Sequence, residues 1–214
     1  MKHTMKDMVE LFVEAEKLVR EKGFAKEIEW CDKRPSFDMV DVNTFLREYA
    51  WVVFNSGMRN AVIEAKWNGI CKAFQYFHVD EIVKDQDAVL RNALKVFGNY
   101  KKVYAVVEVA RDRLQHGFLT FKDKVKADPL ATLDSLPFIG PVTKFHLARN
   151  LGFDYVKPDR HLVRLALKYD TTPLALCRTI HEKTGRRLGT IDVVLWRFCE
   201  QQGQATITAY DRKG

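Results

Sequence analysis

Apolar residues recur every three or four positions along most of the chain, and that period belongs to the α-helix. Between Met5 and Val19 they fall at Met5, Met8, Val9, Leu11, Phe12, Ala15, Leu18 and Val19, and Gly23 stops the run. The spacing returns in "FLREYAWVVFNS", whose broad apolar face predicts a central buried helix. Asn43 or Thr44 can cap its start, and Gly57 breaks it. "RNAVIEAKWNGICKAFQYF" predicts a third helix, "DEIVKDQDAVLRNALKVFG" one or two short ones, and "NYKKVYAVVEVARDRLQHG" another between Gly98 and Gly117. "FLTFKDKVKADPLATLDSL" predicts two, parted near Asp128-Pro129. "DRHLVRLALKYD", "PLALCRTIHEKTG" and "LGTIDVVLWRFCEQQG" predict three closing helices. The segment from Cys31 to Val42, with Pro35 and several Asp, predicts a connection. After Gly203 a short, polar, frayed tail is expected. "ATITAY" alone has strand character, and one strand makes no sheet. With no strand–helix alternation, heptad or repeat, the expected architecture is all-α.

Lys and Arg outnumber Asp and Glu by 35 to 28, a formal net charge of +7. That balance favours an anionic partner, of which nucleic acid is the commonest. Cys31, Cys71, Cys177 and Cys199 are far apart, with no CxxC pair. No metal site is therefore expected, and reduced thiols of a cytoplasmic protein are the simplest reading. The N-terminus is interrupted by charges, and no apolar run approaches membrane-spanning length.

One stretch of thirty residues, "LPFIGPVTKFHLARNLGFDYVKPDRHLVRL", concentrates the unusual chemistry. Leu133, Leu136 and Pro137 predict the end of a short helix, and Phe138-Ile139-Gly140 a tight turn. Pro141 suits the first position of a new helix, where its missing N–H is not needed. Phe145, Leu147, Ala148 and Leu151 give that helix an apolar face, Lys144 and Arg149 can point outward, and Gly152 fits a left-handed end. Such a turn can bind phosphate: Gly140 permits close approach, N–H groups at the helix start point outward, and Thr143 and Lys144 add a hydroxyl and a charge. A plain helical hairpin that binds nothing has the same local features.

Seven residues after Gly152 comes Asp159, with Lys157, Arg160, His161 and Arg164 close by in sequence. Asp159 is an apt N-cap for "RHLVRLALKY". A carboxylate held at a helix start can also stabilise a developing positive charge or steer a nucleophile.

The two features together resemble the helix–hairpin–helix DNA glycosylase superfamily, of the endonuclease III type. That family's hairpin reads roughly L-P-G-V-G-x-x-T-A, and here the residues are Leu136 to Lys144, "LPFIGPVTK". The family's catalytic Asp lies in V-D-x-H-hydrophobic-x-R, matched here by Pro158 to Arg164, "PDRHLVR". Nineteen residues separate Gly140 from Asp159, which suits the family. "VFGNYKKVYAVVEVARDRL" resembles the family's glycine–x–x–K–A helix, and "LATLDSLP" its lead into the hairpin. The resemblance covers about Phe97 to Lys168, while the first ninety residues match only in being helical.

The resemblance implies a two-lobed helical DNA glycosylase fold with an interlobe cleft. One lobe would comprise residues 1–40 and 155–214, the other residues 41–154, ending in a helix–hairpin–helix at 131–152. It implies a monomer acting on double-stranded DNA, without membrane or cofactor, in the cytoplasm beside the nucleoid. Phe138, Ile139, Gly140, Val142, Thr143 and Lys144 would contact DNA, and Asp159 would be catalytic. Trp51, Asn55, Arg59 and His161 are candidates for a base pocket. Ser56 and Met58 lie in the same segment, and Trp30, Trp67 and Trp196 are further rings able to stack.

The departures sharpen this. Family members that cleave the DNA backbone carry a lysine where this chain has Val142. Lys144 lies about 200° further around the helix. A monofunctional glycosylase with water as nucleophile fits better, with Lys157 as the lysine to test for relocation. Phe138 stands at the first hairpin glycine, where a positive φ would strain it. The four-cysteine iron–sulfur loop of some members is absent. Two other functions stay open: a base-hypermodifying transferase on the same scaffold, of the phage 5-hydroxymethyluracil type, and a non-catalytic hairpin module that binds duplexes.

Overall fold

The computed structural model describes the backbone of residues 5–211 and the side chains of residues 6–202. The described residues contain no strand, and the protein is all-α. Its helices are α1 (Met5–Val19), α2 (Ala25–Asp32), α3 (Val42–Asn55), α4 (Asn60–Ala73), α5 (Val79–Lys84), α6 (Gln86–Val96) and α7 (Tyr100–Val109). They continue with α8 (Phe118–Ala127), α9 (Pro129–Asp134), α10 (Thr143–Asn150), α11 (Arg160–Leu167), α12 (Pro173–Thr184) and α13 (Leu188–Asp211). None of the described helices is long and apolar enough to cross a membrane.

The chain divides into two compact units. One runs up to Arg34 and resumes at Phe153; the other is Pro35–Gly152. In the first, α1 packs on α12 and α13. Phe12, Ala15, Val19 and Ile28 meet Leu162, Leu176, Ile180, Ile191 and Leu195 in its core, all fully or almost fully buried. Arg186 ties the ends of this unit together, donating to Asp32 at 2.8 Å and to Glu16 at 2.6 Å. The backbone after Gly203 continues α13 to Asp211, so neither a frayed tail nor an extended "ATITAY" is present. Gly203 is a weak helix breaker, costing about 1 kcal/mol against alanine, and no proline follows it.

The second unit is built around α3, whose Phe45, Leu46, Tyr49, Val52, Val53 and Phe54 are fully buried. Asp41 caps it, accepting from Thr44 N at 2.7 Å, so the helix starts one turn earlier than Asn43 or Thr44 would place it. Asn43 serves another helix: its Oδ1 accepts from Val79 N at 3.0 Å, at the start of α5. The predicted third helix stops at Ala73, because Gln75, Tyr76 and Phe77 adopt φ of 49°, 52° and 65°. That left-handed turn tucks Phe77 beside Phe74, ring centroids 5.5 Å apart, and Trp67 stacks on Phe77. Phe54 continues the aromatic core, packed against Phe74 and Phe97. At the other end of the unit a side chain on Gly152 is impossible: φ is 102°, and a Cβ would lie 2.2 Å from Pro35 O.

Candidate functional site

The segment between α9 and α10 is a helix–turn–helix whose turn is longer than its sequence suggests. α9 ends at Asp134 and α10 begins at Thr143, leaving Pro141 and Val142 in the turn. Pro141 therefore does not open the helix. The reason is local: the Thr143 hydroxyl accepts from Gly140 N at 2.7 Å, and Lys144 N donates to Gly140 O at 3.0 Å. These bonds close a turn around Gly140 before the helix can start.

α3 positions this turn. Tyr49 donates its hydroxyl to Pro137 O at 2.9 Å, and burial pushes that phenol up, as does the nearby Glu108 carboxylate, so it stays a donor. Asn150 donates to Glu48 at 3.1 Å, both side chains buried, which fixes the far end of α10 on the same helix. Leu136 and Ile139 point into the core at 2% and 7% exposure.

Three expectations for the hairpin need correction. The Gly140 N–H is not free for a ligand, because Thr143 holds it. Lys144 does not point freely outward: its Nζ lies 3.0 Å from Asp134 Oδ2. Ile139 is buried, leaving Phe138 and Val142 as the exposed apolar side chains at 40% and 37%. Phe138 has φ of 62°, the left-handed value expected where the family has glycine. Beside Gly140 there is space, since a Cβ built there meets no atom within 4 Å.

Asp159 lies in the first unit and is the N-cap of α11. Its Oδ1 accepts from His161 N at 2.9 Å and from Leu162 N at 3.1 Å. A tight turn, Asp159 N to Lys157 O at 2.8 Å, folds the chain back over Pro158. It brings the Lys157 ammonium to 3.6 Å from Oδ2, with the two side chains 19% and 12% exposed. The lysine is itself fixed: its backbone N donates to Asp192 at 2.8 Å, and its Nζ sits 5.9 Å from the centre of the Trp196 ring. Cys199 is close enough for Asp159 to raise its thiol pKa, though burial is the larger cause. One carboxylate oxygen is thus committed to the helix start, and the other faces a cation beyond hydrogen-bonding reach. His161 orients the helix start through its backbone N–H; its ring accepts from Arg160 Nε at 3.4 Å.

Of the candidate pocket residues, Trp51, Asn55 and Arg59 belong to the second unit, and His161 to the first. Trp51 packs edge-on to Trp67 with centroids 4.8 Å apart, which joins it to the aromatic core. Asn55 closes α3, donating to Trp51 O at 2.9 Å, and Arg59 is exposed at the start of α4. Lys102 was not a candidate, yet it organises this segment. Its buried Nζ donates to Phe54 O at 3.2 Å and to Ser56 O, the carbonyls on either side of Asn55. Burial lowers its pKa. The signal was in the sequence: Lys102, Ala105, Val106 and Val109 share one helical face, a lysine among three core positions.

A surface cavity of about 440 Å³ in the second unit is lined by Val42, Asp80, His116, Phe118 and Leu119 among others, and by none of the candidate site residues. Among the described residues, no three His, Cys, Asp or Glu side chains gather as a metal ion would require. No family model, curated protein or solved structure matches the chain.

Proposed function

We propose that the protein is a DNA N-glycosylase that draws an altered base from duplex DNA and hydrolyses its N-glycosidic bond. The reading rests on the resemblance of Phe97 to Lys168 to the helix–hairpin–helix glycosylases and on the net charge of +7. The observation that carries it is the state of Asp159. Two backbone N–H groups hold Oδ1, so the carboxylate cannot turn away, and Oδ2 is left for chemistry.

As the N-glycosidic bond lengthens, positive charge grows on the sugar. A fixed carboxylate stabilises that charge without reorganising. The same oxygen can take the proton of the attacking water. Val142 at the position of the lyase lysine, and Lys144 paired with Asp134, favour water over an amine as nucleophile. Lys157 balances the carboxylate charge before substrate arrives. The products are a free base and an abasic site.

The test is a panel of duplexes, each with one altered base, followed by mass analysis of bases and nucleosides. A free base, with strand breaks only after alkali, is the expected result. An enlarged nucleoside would assign the protein to the base-modifying transferases instead. Duplex binding with no chemical change on any member would reduce it to a binding module.

A further inference from the structure

We propose that the Phe138 ring is a wedge that inserts into the base stack of duplex DNA, a contact to bases rather than to phosphates. The inference rests on the glycosylase reading and names what its hairpin touches.

A phenylalanine at φ of 62° costs about 1–2 kcal/mol in backbone strain. Glycine would relieve that strain, and burial does not offset it, because the ring is 40% exposed. The turn does not depend on the ring for anchorage. Leu136 and Ile139 enter the core on either side, Tyr49 holds Pro137 O, and Thr143 holds Gly140 N. The ring is therefore presented outward on a backbone pinned at both flanks.

The polar groups of the turn are already engaged. Lys144 is paired with Asp134, and the Gly140 N–H is bonded within the turn. What the turn offers outward is apolar: Phe138, and Val142 four residues on, with open space at Gly140 between them. A basic chain draws a polyanion, and the apolar surface within duplex DNA is its base stack. Apolar wedges on rigid elements open base steps and kink the duplex. A phenyl ring, with two torsions to fix, loses little entropy in doing so.

The experiment uses the full chain and a duplex carrying 2-aminopurine beside a tetrahydrofuran abasic-site analogue. Insertion is read as a change in 2-aminopurine fluorescence, and affinity by titration at fixed salt. Phe138→Asn keeps the turn, because asparagine tolerates a positive φ, and it removes the ring. Phe138→Trp restores an aromatic face. Wild type and Phe138→Trp are expected to change the fluorescence. Phe138→Asn is expected to lose that change and to bind about ten-fold more weakly, the scale of one base–aromatic stack. The salt dependence of binding should be the same in all three, since no phosphate contact is altered.

An equal fluorescence change in Phe138→Asn would overturn the wedge and leave the glycosylase reading standing. No duplex binding by wild type would overturn both. Self-association of the protein that Phe138→Asn abolishes, with fluorescence unaffected, would assign the ring to a second copy and overturn the proposal.

Discussion

Two turns in the second unit hold non-glycine residues at positive φ, and the packing around them differs. At Gln75–Phe77 three consecutive residues are left-handed, yet Phe74 and Phe77 are both fully buried and stacked. Burying two phenylalanines contributes about 1.5–3 kcal/mol each, enough to offset the backbone cost. At Phe138 the strained residue is itself the exposed one. Strain that the core offsets is a feature of the fold. Strain with no such offset, on an otherwise well-anchored turn, marks a residue kept for what it touches outside the chain.

The largest test of this contrast is Phe77→Ala. It should destabilise the protein by about 3–5 kcal/mol, read by urea unfolding, because the ring lies between Trp67 and Phe74. A loss below about 1 kcal/mol would erase the difference between the two turns. Tyr49→Phe comes next. It leaves Pro137 O without its donor and should cost about 1–3 kcal/mol by the same measurement. No loss would mean that the Phe138 turn is not anchored as described. Phe138→Gly should act in the opposite direction and raise stability by about 1 kcal/mol. A destabilisation of that size would show that the ring serves the core after all.

Much of the helical fold was legible before the structure. Apolar spacing located α3, α6, α7 and α12, and the proline after Asp128 located the break before α9. What could not be read depends on partners distant in sequence. Asn43 looks like a cap for α3, but it caps α5, because Asp41 already serves the nearer helix. The Gln75–Phe77 turn contains no glycine, so nothing local announces it. The tertiary pull of two buried rings creates it.

The candidate site divides in the same way. Asp159 as a cap was readable from an aspartate ahead of an apolar helical pattern, and Phe138 from its departure from a glycine pattern. The ion pair of Lys144 with Asp134 and the ring of Trp196 near Lys157 were not. Each needs side chains ten or more residues apart, which periodicity does not link.

The most direct measurement is single-turnover base release by Asp159→Asn on a duplex that wild type processes. Asparagine caps a helix about as well as aspartate, so α11 and duplex affinity should persist. Release should fall by at least about a hundred-fold, because the fixed negative charge beside the sugar is gone. Release at the wild-type rate, from a folded variant with unchanged affinity, would contradict the assignment of that oxygen.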